Sequence, residues 1–360
     1  MKRFLLGLAL VLAVTTTIQA KVQNKGNFGI AGWLVYWDPK SMESFERNIA
    51  LIDRVYPEWY IIGADGLPRS NENIFKTDAE KATFRAKKLK TVQLAKKNGV
   101  QIYSMIVNFD SAIGQHSTDR VHKFLYDKAI YKKHIQALVE NAIKDGAQGI
   151  DIDYENMKAV DAKPFNQFMA DLKVAAKAKG LLLAAAIAPK TDADGTWDGN
   201  QAHDYKGLGQ SLDLMRPMTY DEHWGTSTAG PVSSPEFTEM VDRYAVSVSQ
   251  QGSVEIGIAA YGYDWKGKEG KSITWDDLMA MKKKGIKITR DPETAELTGR
   301  YKDEKGQDRE FWFCDAGSYR PKYALIKKYK LAGMAIWRFG SEDPSFWTDV
   351  RQFKYAKDWK

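Results

Sequence analysis

The stretch "GAQGIDIDYENM", residues 146–157, sets Asp151, Asp153 and Glu155 at every second position, with Ile150 and Ile152 interleaved, directly after Gly149. On a β-strand side chains alternate faces at ~3.3 Å per residue, so the three acids share one face about 7 Å apart. Like charges that close repel. A wet face of an antiparallel sheet would carry such a pattern without consequence. A strand buried on both faces inside an α/β protein would not, because buried carboxylates are costly unless they are paired or put to chemical use.

The rest of the chain favours the second setting. Apolar runs recur at residues 32–38, 58–65, 100–109, 149–155, 181–189, 214–221, 254–265 and 333–340, with helical segments between them. Eight strands alternating with helices predict an α/β fold, a (β/α)8 TIM barrel. Thr77 and Glu80 are spaced as a capping box before a periodic run that Gly99 closes, and Ser234–Pro235 marks another helix start. In "KKNGVQIY", "IKDGAQGI", "KAKGLLLA" and "YKLAGMAI" a glycine separates each helix from the next strand. The segment between strands seven and eight is too long for a simple connection. It contains a helical "SITWDDLMAMKKKG" and an alternating piece around "DEKGQD", which predict a small α+β insertion over residues 266–315.

Residues 1–20, "MKRFLLGLALVLAVTTTIQA", have the basic start, short apolar run and small-residue end of a secretory signal peptide, with residues 21–360 as the barrel. No cysteine follows the apolar run, so an exported protein without a membrane anchor is expected. The chain has 53 basic and 46 acidic residues; without Lys2 and Arg3 the balance is 51 against 46, a net +5. Its lysine-rich runs fall where helices show solvated faces, so nucleic acid is not expected as a partner. The single Cys314, in "FWFCDAG", excludes an intramolecular disulfide and reads as a buried small hydrophobe. With no Cys/His cluster, neither a metal site nor a cofactor is expected.

The active site of such a barrel forms at the carboxyl ends of the strands. Glu155 ends strand four, Asp221 ends strand six just after Tyr220, and Trp337 lies in strand eight. Taken alone, the acids suit a Mg²⁺ site as well, since hard cations take carboxylate oxygens; Tyr220 and Trp337 argue for an organic substrate instead. "GIDIDYE" resembles the DGxDxDxE signature of glycoside hydrolase family 18, "MTYD" (Met218–Asp221) resembles its strand-six motif, and Trp337 falls where that family keeps a tryptophan under the reacting sugar. The resemblance runs from about Gly29 to Trp347. Within the family, "MTYDEHWG", "AAYGYDW" and "WFCDAGSYRPKYALIKKYKLAGMAIWRFG" look most like the branch of spore-cortex and cell-wall N-acetylglucosaminidases. The family's leading aspartate is Gln148 here. The sequence is expected to hold the catalytic barrel alone, without the LysM repeats that branch often places ahead of it.

The resemblance implies a substrate-assisted reaction. Glu155 would protonate the glycosidic oxygen, and the substrate's own 2-acetamido oxygen would attack in place of a second carboxylate. Asp153 would hold the acetamido N–H, with Asp151 behind it sharing a proton, and Tyr220 would orient the acetamido oxygen. Asp221 and Met218 would contact the sugar over a floor made by Trp337. The aromatics Trp37, Trp59, Tyr103, Trp197, Trp224, Tyr261 and Trp265 sit at strand ends or the loops after them; Trp224 and Tyr261 are the stronger sugar contacts, and His223 is either a contact or a plain loop residue. The expected function is that of a secreted, monomeric, retaining glycosidase acting on β-linked N-acetylglucosamine in peptidoglycan. A chitinase or chitooligosaccharide hydrolase is the alternative. A non-catalytic sugar-binding barrel is the third, and Glu155, which inactive members usually lose, stands against it.

Overall fold

The computed structural model describes residues 21–111 and 113–358; the expected signal peptide lies outside them. Eight parallel strands form the core: β1 Gly29–Leu34, β2 Arg54–Ile62, β3 Gln101–Val107, β4 Gly149–Asp153, β5 Leu182–Ile187, β6 Leu214–Pro217, β7 Glu255–Ala259 and β8 Gly333–Trp337. They pair in the order β7-β8-β1-β2-β3-β4-β5-β6, and a parallel bridge between Met215 and Val254 joins β6 back to β7. Helices run between the strands as the alternation predicts. Helix Asp78–Asn98 starts with the Thr77–Glu80 capping box and stops at Gly99, whose left-handed conformation (φ 63°) ends the helical path at little steric cost. Ser234 caps helix Pro235–Val248 by accepting from the Phe237 N–H.

Strand edges depart from the apolar runs in three instructive places. β1 begins at Gly29 because Gly29–Ala31 pair with Gly333–Ala335, although their small side chains give little hydropathy signal. β2 begins at Arg54, a charged residue fully buried in the barrel against Glu255. The run 254–265 divides: Glu255–Ala259 is barrel, while Gly262–Lys266 turns outward into an antiparallel sheet. That sheet therefore starts at Gly262, ahead of position 266. It joins Gly262–Lys266 to Glu269–Ile273 and to Asp308–Phe313, followed by Leu297–Lys302 and Thr289–Arg290. Gly262 is required there: a Cβ would lie 2.0 Å from the Trp312 carbonyl oxygen. Helix Trp275–Lys283 covers the sheet through Leu278, which packs with Ile273, Phe311 and Phe313. Cys314 is free and buried.

Gln148 shows how the barrel absorbs its departure from the aspartate pattern. Its side-chain oxygen accepts the Ile102 N–H at 3.0 Å and its amide donates to the Gly146 carbonyl at 2.9 Å. An amide thus ties the start of β4 to β3 where a carboxylate could do only the accepting half.

Candidate active site

β4 turns its acids into the barrel, and each meets different surroundings. Asp151, the deepest, is fully buried and takes two hydrogen bonds from Arg216, Nη2 to Oδ1 at 2.9 Å and Nη1 to Oδ2 at 3.3 Å. Burial raises its carboxyl above the ordinary value, and the Arg216 charge and hydrogen bonds oppose that rise. No hydrogen bond joins Asp151 to Asp153 among the described residues, so the geometry puts the inner acid on Arg216 rather than in a shared-proton contact. Asp153 is buried, and its Oδ1 has no hydrogen-bond partner among them. Burial first, and then the neighbouring Glu155 charge, hold its carboxyl well above the usual range.

Glu155 lies just past the strand end, at the mouth of the barrel. Asn108, after β3, clamps its backbone: the Glu155 N–H donates to Asn108 Oδ1 at 2.9 Å, and Asn108 Nδ2 donates to the Glu155 carbonyl at 2.8 Å. The same Oδ1 lies 2.9 Å from His116 Nδ1, whose ring presents Nε2 to Glu155 Oε1 at 3.3 Å. An amide oxygen only accepts, so Nδ1 carries the hydrogen, and a neutral His116 offers Glu155 a lone pair at Nε2. Burial lowers His116, which favours that neutral form, and burial with the Asp221 charge raises Glu155 to about 7. A carboxylic acid that keeps its proton near neutral pH suits general-acid chemistry.

The end of β6 supplies the opposite wall. After Pro217 the chain turns sharply, and Asp221 takes a left-handed conformation (φ 57°), which aspartate tolerates better than most residues. Gly257 on β7 makes room, because a Cβ there would lie 2.6 Å from the Pro217 carbonyl oxygen and 3.3 Å from the Tyr220 ring. The Tyr220 hydroxyl makes no hydrogen bond among the described residues. Asp221 Oδ1 accepts from the Tyr261 hydroxyl at 2.6 Å and the Tyr263 hydroxyl at 3.1 Å. Burial raises the Asp221 carboxyl, and these two donors oppose the rise.

These groups open into one cleft of about 900 Å³, lined by Asp153, Glu155, Met218, Tyr220, Asp221 and Trp337, with Trp37, Trp197, Trp224, Tyr261, Tyr263 and Arg338 around them. Trp337 ends β8 and packs edge-on to buried Trp33, with centroids 5.5 Å apart. Trp37, Trp197 and Trp224 each expose about half their surface. Of the other aromatics, Trp59, Tyr103 and Trp265 are core: Tyr103 stacks edge-on to Tyr56 inside the barrel, and Trp265 donates its indole N–H to the Trp224 carbonyl. His223 bonds the Thr228 carbonyl within its own loop and does not line the cleft.

The sequence reasoning missed Asn108, His116, Tyr263 and Arg216. Asn108 directly follows an apolar strand, a position that could have marked it. His116 lies in a two-residue strand that pairs with Phe109–Asp110, and Tyr263 in the antiparallel sheet of the insertion, and periodicity gives the placement of neither. No helix among the described residues is long and apolar enough to cross a membrane.

Comparison with known proteins agrees with this geometry. The glycosylase YvbX of Bacillus subtilis is 28% identical over 73% of this chain and 78% of its own length. The cortical fragment-lytic enzyme of Bacillus cereus is 30% identical over 68% of this chain, but the match spans only 57% of that relative. A chitinase from Chromobacterium violaceum superposes with a TM-score of 0.80 at 26% identity, covering 91% of this chain and 98% of the chitinase. Residues 33–342 match the family described as glycosyl hydrolases family 18, so the barrel and its acidic β4 belong to a glycosidase of that family.

Proposed function

We propose that the protein is an exported retaining glycosidase that cleaves β-linked N-acetylglucosamine in peptidoglycan or its fragments, with the substrate's 2-acetamido group as nucleophile. The observation that carries this reading is the meeting of Glu155, Asp153 and Tyr220 in one aromatic cleft, where the Tyr220 hydroxyl and Asp153 Oδ1 have no hydrogen-bond partner among the described residues. Glu155 donates its proton to the glycosidic oxygen as the C1–O bond breaks. The acetamido oxygen closes onto C1 from the other face, Tyr220 donates to that oxygen, and Asp153 accepts from the acetamido N–H. Water then opens the oxazolinium ring, with Glu155 taking a proton back. Trp337 forms the apolar floor, Met218 and Asp221 contact the sugar, and Trp224 and Tyr261 border the neighbouring positions. Peptidoglycan is favoured because the cortical fragment-lytic enzymes are among the relatives. The chitinase likeness supports chitooligosaccharides as a second reading. Export rests on the character of residues 1–20.

Incubation with purified peptidoglycan and with chitin oligomers, read by mass spectrometry, separates the two polymers. NMR of the first product is expected to show retained β-configuration, and a matched glucoside without the acetamido group is expected to be nearly inert. An inverted product, or comparable turnover of that glucoside, would refute substrate assistance.

A further inference from the structure

Arg216 lies on β6, two residues before the Met218–Asp221 turn, and is buried beneath the cleft. Besides its two bonds to Asp151, its Nε donates to Glu255 Oε2 at 3.2 Å. Its guanidinium lies 3.6 Å from the Tyr56 ring centroid and 4.6 Å from that of Trp33. Glu255, on β7, also receives Arg54 at Oε1 (2.6 Å) and the Tyr56 hydroxyl at Oε2 (2.6 Å). Two guanidinium groups, Arg54 and Arg216, thus face two carboxylates, Asp151 and Glu255, all four fully buried. Above this balanced layer the cleft acids Asp153, Glu155 and Asp221 have no lysine or arginine in ion-pair contact among the described residues. Their polar neighbours are Tyr220 on the β6 side, Tyr261 and Tyr263 from the β7 side, and neutral His116 from the loop after β3. Tyr103, the titratable group that β3 turns into the layer, has a hydroxyl with no hydrogen-bond partner among the described residues.

We propose that Arg216 is a positioning residue for the reaction: by holding both oxygens of Asp151 as a carboxylate, it denies Asp153 an inner partner and confines the mobile proton to the Asp153–Glu155 pair that faces the substrate. This rests on the roles given above to Asp153 and Glu155. An arginine that only neutralised buried charge would serve folding and leave the pH dependence of turnover alone. An arginine that governs where the proton resides sets that dependence.

The test is the alkaline limb of kcat against pH on an N-acetylglucosamine oligomer. Removing the cation in Arg216→Met strengthens proton binding by the remaining acids, so the limb rises by about one pH unit. Asp151→Asn leaves Arg216 with surplus charge, and the limb falls by about as much. The double variant removes one charge of each sign, and its limb returns close to that of wild type. Arg216→Lys, which keeps the charge, lies nearer to wild type than Arg216→Met does. If Arg216→Met does not fold, Asp151→Asn and the double variant decide, since Arg54 and Tyr56 still hold Glu255. A limb unmoved in the folded single variants, or a double variant that follows one single variant, overturns the inference. A wild-type protein that cleaves no such oligomer at any pH counts against the proposed function instead.

Discussion

The charge of Asp221 is a direct handle on the proton that Glu155 donates. At an ordinary glutamate pKa of 4.5 only about 0.3% of Glu155 would be protonated at pH 7, whereas at about 7 roughly half of it is. Burial contributes most of that rise and Asp221 is the next cause. Asp221→Asn removes the charge but keeps an oxygen to accept from the Tyr261 and Tyr263 hydroxyls, so the wall should stand. The sign follows from the removal of an anion: the Glu155 proton is held less tightly, and the alkaline limb of kcat moves down. For a shift of about one unit, the protonated fraction at pH 7 falls from about 50% to about 9%, a loss of roughly fivefold, while at pH 5 it falls by only about a tenth. The assay is kcat measured between pH 4.5 and 8.5 on an N-acetylglucosamine oligomer. A loss of the same size at every pH would mean that Asp221 acts only by binding sugar, and the electrostatic reasoning would be wrong.

Glu155→Gln is expected to lower kcat by on the order of 10² to 10⁴ while circular dichroism and the melting temperature stay close to wild type; near-normal turnover would remove Glu155 as the acid. Gly257→Val should push its added carbons into the Pro217 carbonyl and the Tyr220 ring, costing about 1–3 kcal/mol of stability and lowering kcat on the order of tenfold. A melt and a rate measurement on the same preparation would show whether the two losses go together. Because Arg216 already satisfies Asp151, EDTA should leave turnover unchanged; loss of activity restored by added Mg²⁺ would favour a metal at the acids.

What could be read from the sequence follows from what period and composition encode. β4 was legible because Ile150 and Ile152 alternate with acids that no buried strand would carry idly, and helix Asp78–Asn98 was legible because its two ends have side-chain signals of their own. β1 and β2 were read too late because Gly29, Ala31 and Arg54 look unlike core, yet small residues pair well in a closed sheet and a buried arginine is acceptable once Glu255 faces it. The partner of Asp151 was illegible for a different reason. Arg216 is 65 positions away, on the strand next but one, and reaches Asp151 across the inner face of β5. The same holds for His116, which reaches Glu155 from a two-residue strand that propensity cannot anticipate.

That long-range dependence bears on what the acidic strand means. Spacing alone gives three equivalent carboxylates on one face, and equivalent acids could not divide the labour of a glycosidase. The barrel makes them unequal: Arg216 takes the inner one, burial and the neighbouring Glu155 charge hold the middle one well above the usual carboxylate range, and burial with the Asp221 charge raises the outer one to about 7. Each difference comes from another strand, β6 for Arg216 and Asp221 and the end of β3 for the Asn108 clamp on Glu155. A DxDxE ladder grafted onto an open sheet would keep its spacing and lose these distinctions, and its acids would ionise together near pH 4. The chemistry therefore belongs to the closed barrel and to the charges its other strands bring beneath and beside β4.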